Sequence, residues 1–179
     1  GRSTGRQPNT SHDENGFDVK LEHWLARDTK LVFLHQSYSQ DDVPRTHSTD
    51  QGISWRGTSV GSNLRRDNDQ DRRLTYLQLH KDGMEGGVES MKLSVSWQTQ
   101  KWVEDRLRSS GAATVDSSRV NTLGAFAQFQ SASAFGDLTY GVDFYRVGGS
   151  IVVLNADARW KICAQCRDTI QTKLRVACS

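Results

Sequence analysis

Residues 91–98 read Met-Lys-Leu-Ser-Val-Ser-Trp-Gln, and this alternation constrains the chain more than any other feature. Met91, Leu93, Val95 and Trp97 share one parity, and Lys92, Ser94, Ser96 and Gln98 share the other. Successive side chains of a β-strand point to opposite faces, so the run spells a strand with one apolar and one polar face. The same period recurs along the chain. Phe17, Val19, Leu21 and Leu25 oppose Asp18, Lys20 and Glu22 in a first strand. Residues 30–40 are rich in β-formers, although their alternation is blurred. Residues 73–80 form a third run, and residues 91–98 a fourth that extends past Gln100 toward Arg106. Leu123, Ala125, Ala127 and Phe129 alternate with polar or small residues in a fifth, interrupted by Phe126. Leu138, Tyr140, Val142 and Phe144 make a sixth.

The links have their own rhythm. Residues 26–29 read as a tight turn in which Asp28 can bond its own backbone. Residues 41–71 form a long polar stretch holding Pro44, Gly52, Gly57 and Gly61. Residues 81–87 are a Gly-rich reversal, residues 109–121 a second polar loop, and residues 131–137 a turn. The expectation is therefore an all-β antiparallel meander of about six long strands in three hairpins, with an irregular C-terminal tail. Short links within hairpins and long links between them are the pattern of a transmembrane β-barrel, here an open segment of one. Lipid cannot satisfy backbone hydrogen bonds, so only helices and closed sheets span it.

Composition fits that geometry. Only 35% of the 179 residues are hydrophobic, against about 45–50% in ordinary soluble domains when Gly is included. Half-apolar strands diluted by polar loops account for the low fraction. No window approaches the ~20 apolar residues of a helical span. A net charge of +2, with Lys and Arg scattered among Asp and Glu, gives no basic face for nucleic acid. Residues 1–16 are polar and carry no readable targeting signal. Trp24, Tyr38, Trp97, Trp102 and Tyr145 are expected near strand ends, as in an interfacial girdle. The alternative is a soluble antiparallel sheet with one wet face, a binding protein of unknown ligand, which alternates identically.

Residues 21–46 read LEHWLARDTKLVFLHQSYSQDDVPRT. With RRLTYLQLH at 72–80, MKLSVSWQ at 91–98, and the runs from NTLGAFAQFQ through LTYGVDFYR at 121–146, this text resembles the barrel of TonB-dependent outer-membrane receptors. The segment from His35 to Thr46 is the most specific piece. The resemblance implies a bacterial outer-membrane location, contact with lipid, and a part in uptake of a scarce nutrient such as a ferric siderophore, cobalamin or glycan. In the full-length receptor a plug domain fills the barrel and engages the TonB system. The sequence departs from that pattern: plug and TonB-contacting box are missing, and about six strands fall short of the ~8 needed for closure. The chain alone is expected not to transport. Residues 17–147 read as partial barrel, and residues 148–179 as a non-homologous tail from truncation or frameshift.

Candidate sites are sparse. Asp41, Asp42, Arg45, Trp55 and Arg56 lie at or in the first outer loop and are the expected ligand-binding residues, the alternative being a charged rim. Lys92, Gln98, Gln128 and Asp143 are expected on the lumen side. Cys163 and Cys166 have C-x-x-C spacing, but with only Cys178 beside them and no nearby His they lack a zinc set and read as incidental. Asp67, Asp69 and Asp71 resemble the start of a calcium loop, yet Arg72 and Gln78 stand where Gly and Glu are required. The five His residues form no H-E-x-x-H pair and no nucleophile motif is present, so no catalytic residue, metal or cofactor is expected.

Overall fold

A computed structural model describes residues 11–52, 54, 56, 59–133, 136–155 and 165–178. Seven strands form one antiparallel sheet in sequence order. They are β1 (Asp13–Ala26), β2 (Thr29–Pro44), β3 (Asn63–Lys81), β4 (Ser90–Arg108), β5 (Ala113–Ser133), β6 (Gly136–Asn155) and β7 (Gln165–Cys178). The expected meander of hairpins is present, with a seventh strand after the six.

Register explains why alternation builds this sheet. Leu21, Phe33, Leu77, Val95, Ala125 and Phe144 are directly opposed in one row across β1 to β6. The adjacent row on that face runs Leu31, Leu79, Leu93, Ala127, Val142. A one-residue slip anywhere would send this apolar set to the other face, so the pattern pins the pairing. The resulting belt is about 20 Å tall along β4, from Met91 to Trp97, at ~3.4 Å per residue. The opposite face carries rows such as Lys20, Leu34, Tyr76, Ser96, Gly124, Tyr145. Phe126 interrupts the alternation because it points to this polar face, in the row of Val32, Gln78 and Ser94.

Among the described residues the sheet is a single layer with no second layer packed on it. Among the described residues Val32, 3% exposed, is the one buried apolar side chain. Phe17, Leu21 and Val95 of the belt remain more than half exposed.

The strands outrun their sequence signal at one end. Of residues 41–71, expected as loop, 41–44 belong to β2 and 63–71 to β3, and the connection is residues 45–62. Residues 109–121 are mostly β5, leaving a turn of residues 109–112. β6 continues past residue 147 to Asn155, and β7 pairs along it. Beyond the belt polar and charged residues occupy both faces of β3 to β5, and in β6 Ile151 to Leu154 are apolar on both parities, so period two fades from the sequence while the backbone ladder continues. β4 extends about 30 Å from Thr99 to Arg108 at ~3.4 Å per residue. At the other end the belt lies close to the links at residues 27–28, 82–89 and 134–135.

The aromatic girdle is corrected. Of its five members only Trp97 lies on the apolar face, at the belt's rim beside Leu123. Trp24, Tyr38, Trp102 and Tyr145 share the polar face, and Tyr38, Trp97, Trp102 and Tyr145 are interior to their strands. The polar extensions of β2, β3 and β5 imitate loops in the sequence, so the strands run well past these aromatics.

Candidate functional site

The far end of β2 through β5 gathers the polar chemistry. In β2 the register jumps from Gln40 opposite Gln70 to Val43 opposite Asn68, so Asp41 and Asp42 together face Asp69. This is a β-bulge. Asp42 takes φ 55° and its backbone N–H donates to Asp69 Oδ1 at 2.8 Å. Asp is among the few side chains that tolerate this left-handed conformation. Pro44, which has no N–H to give a ladder, closes the strand. Arg45 then resumes contact by donating its N–H to the Arg66 carbonyl at 2.7 Å.

The 45–62 connection folds back on the strand ends. The buried Thr49 donates its hydroxyl to the Thr46 carbonyl at 2.7 Å, and its own carbonyl accepts from Gly61 N–H at 3.0 Å. Gly61 sits so tightly on the Ser48 carbonyl that a Cβ there would collide with backbone. Between this fold and β3 lies a groove of about 400 Å³ lined by residues that include Asp42, Arg45, Thr49, Arg65 and Asp67.

Each face of the extension has its own ion-pair ladder. On one, Arg66 Nη2 donates to Glu104 Oε2 at 2.8 Å, Arg106 Nε lies 3.4 Å from Glu104 Oε1, and Arg106 Nη2 donates to Asp116 Oδ2 at 2.6 Å. Glu104 is only 3% exposed, and Asn68 beside it is also buried. The Asn68 amide, oriented to donate to Glu104 Oε2 at 3.3 Å, accepts from Arg45 Nε. On the other face Arg65 bridges Asp67 at 3.3 Å and Asp105 at 2.5 Å. Burial pushes the Asp67 carboxyl above its ordinary pKa, with Asp42, Asp105 and Asp69 adding to the rise and Arg65 opposing it.

Of the five expected residues, the groove unites Asp42 and Arg45. Asp41 stands outside it, exposed and opposite Asp13 of β1. Arg56 is exposed in the connection with φ 40°, and Trp55 lies outside the described residues. Sequence reasoning misses all of Arg66, Glu104, Arg106 and Asp116: Arg66 and Asp116 fall in stretches that read as polar loops, and Glu104 and Arg106 in a strand extension with no apolar face. The signal was there: Glu104 and Arg106 share one parity, as do Arg65 and Asp67, so opposite charges stack on one strand face. Asp67 and Asp71 belong to β3 instead of a loop, and among the described residues no three metal-ligating side chains gather.

Lys92, Gln98, Gln128 and Asp143 do share the polar face. Cys163 lies outside the described residues. Cys166 and Cys178 fall near opposite ends of β7, about 40 Å apart at ~3.4 Å per residue, so these two cannot form one site within the strand.

Comparison with known proteins found no matching family model, no matching curated protein and no matching solved structure.

Proposed function

We propose that the chain is a segment of a TonB-dependent outer-membrane receptor barrel, its apolar belt facing lipid and its polar face lining the lumen. The observation that carries this reading is the belt itself. Apolar residues stand level across β1 to β6 on one face, half-buried to exposed, and among the described residues no second layer lies against them. Strand length supports it. A crossing needs about 9–11 residues, whereas β4 has 19 and β5 has 21. The surplus lies at one end, where the polar walls and the Asp42–Arg45 groove would stand outside the membrane and meet the nutrient. Uptake of a siderophore, cobalamin or glycan comes from the resemblance of residues 17–146, and the groove's mixed charges are compatible with a polar ligand.

The test is depth quenching. The full chain is refolded into phosphatidylcholine vesicles containing brominated lipid. Trp97 should be quenched strongly, so Trp97→Phe removes most of the quenching, while Trp102→Phe leaves it intact. Recovery as a monodisperse monomer in buffer, with no vesicle association, would overturn the reading.

A further inference from the structure

The apolar belt is hollowed along β5. There it is built from the small side chains Ala125 and Ala127, while β4 beside them carries Leu93 and Val95 and β6 carries Val142 and Phe144. The larger side chains rise on both sides and leave an open groove of about 370 Å³. From Leu123 to Ala127 the strand rises about 14 Å at ~3.4 Å per residue. That is close to one leaflet of a hydrocarbon core about 30 Å thick.

A second hollow, of about 300 Å³, adjoins the groove at the belt's rim and is bounded by Trp97, Asn121, Leu123, Arg146 and Gly148. Its residues occupy two rows of the same face. Trp97, Leu123 and Arg146 are directly opposed in one, and Thr99, Asn121 and Gly148 in the next. The Asn121 side-chain oxygen accepts from Thr99 Oγ1 at 2.9 Å, so its amide nitrogen is the end that can donate to a ligand. Trp97, 52% exposed, adds an indole N–H. Arg146 is exposed and has an interaction of its own, but a guanidinium carries five N–H donors.

The rim is basic. Arg73 is directly opposite Thr99, and Lys101 is directly opposite Arg119 one row further out. Among the described residues of β3 to β6, Asp71, opposite Lys101, is the one carboxylate on the three rows from Trp97 to Lys101. Arg167 and Asp168 fall together in the register shift of β7 opposite Gly148 and balance each other in charge. Cationic donors thus stand at the head of an apolar trough one leaflet deep.

We propose that this face seats one anionic phospholipid, its phosphate in the rim pocket at Trp97, Asn121 and Arg146 and an acyl chain along Ala125 and Ala127. The phosphate takes charge-assisted bonds from the Arg146 guanidinium, and the chain fills the trough by close packing. The site rests on the lipid-facing reading of the belt and adds to it a fixed lipid selected by charge.

The experiment uses the full chain refolded into phosphatidylcholine vesicles. A minor fraction of the lipid is brominated on its acyl chains, as either phosphatidic acid or phosphatidylcholine. Trp97 emission is read as the difference between the chain and its Trp97→Phe variant. Brominated phosphatidic acid should reach Trp97 with a relative affinity about tenfold or more above brominated phosphatidylcholine, the worth of a charge-assisted bond. Arg146→Gln should remove most of that preference. Lys101→Gln, an equal loss of charge outside the pocket, should lower it by less than about fivefold, the attraction of one cation near a membrane surface. Ala125→Leu fills the trough without altering charge and should also remove most of the preference. Near-equal quenching by the two lipids, equal losses from Arg146→Gln and Lys101→Gln, or a preference unmoved by Ala125→Leu overturns the proposal and leaves the belt in lipid. A Trp97 quenched by neither lipid overturns the lipid-facing belt itself, and the site with it.

Discussion

Lysine in place of Val95 separates a lipid-facing belt from a wet one. Val95 is 54% exposed, between Leu77 and Ala125 in its row and between Leu93 and Trp97 on its own strand. It therefore occupies the middle of the belt in both directions. In water an exposed substitution of this kind changes stability by about 0.5 kcal/mol or less. At the midplane of a bilayer, a lysine on the lipid face of a barrel costs about 2–4 kcal/mol. That is a factor of about 30 to 700 in the folding equilibrium at 1.4 kcal/mol per tenfold. The internal control is Thr122→Lys, one residue from Leu123 but on the polar face, in the row of Gln98. Both variants add the same charge to the same sheet. The assay is a urea titration of the chain refolded in phosphatidylcholine vesicles, followed by tryptophan fluorescence. Val95→Lys should lower stability by at least about 2 kcal/mol and Thr122→Lys by under about 1 kcal/mol. A cost for Val95→Lys below about 0.5 kcal/mol, or equal costs for the two, would refute the assignment of faces.

Three further outcomes follow from the geometry. Glu104→Gln removes the carboxylate between Arg66 and Arg106, leaving Arg66 without that counter-charge and Arg106 with Asp116 alone. Because both arginines keep some solvent, the loss should be about 1–3 kcal/mol, seen as faster amide exchange at the far ends of β3 to β5. Asp67, beyond the belt, holds its proton more tightly folded than unfolded, chiefly through burial. A raised carboxyl pKa favours the folded state below the ordinary value and loses that contribution as pH rises through the folded value. Asp67→Asn should therefore remove a decline in extension stability as pH climbs through the carboxylate range, read from amide exchange against pH. Gly141→Ala should destabilise more than Gly124→Ala. A Cβ at Gly141 meets the fixed Ala127 carbonyl, whereas one at Gly124 meets the Ser96 hydroxyl and Tyr145 ring, which can turn aside. Paired urea midpoints would show the ordering.

What the sequence disclosed was the part of the sheet with two unlike faces. Met91 to Trp97 and Leu123 to Phe129 read as strands because burial in lipid or protein demands period two, and their register follows from it. Asn63 to Arg72 carries Arg, Asp, Asn and Gln on both parities and so imitates a loop, yet it is the first half of β3. Its strand conformation is fixed by partners far away in sequence, such as Arg66 with Glu104 and Arg65 with Asp105. A periodicity argument is blind to such pairs because neither member is apolar. The same blindness hid the rim. Asp42 and Arg45 were visible from Pro44 and the end of apolar text, while Glu104 and Arg106 required the fold to bring them near.

Direction of travel sets a further constraint on any closed form of this sheet. In an antiparallel meander of seven strands the first and last run the same way, so β1 and β7 are parallel to each other. Joining those two edges would make a parallel seam, and rotating copies about the barrel axis would repeat that seam at every junction. Bacterial single-chain barrels are antiparallel and even-numbered. On the proposed reading the two edges must therefore each meet a strand of opposite direction, which means an odd number of additional strands between them. β1 is exposed along its whole length, and its free edge offers N–H and C=O groups that lipid cannot satisfy. The partner strand must place apolar side chains level with Phe17, Val19 and Leu21 and polar ones level with Asp18, Lys20 and Glu22, since direct opposition keeps each pair on one face. The belt that defines this sheet thus also dictates the pattern of its neighbour.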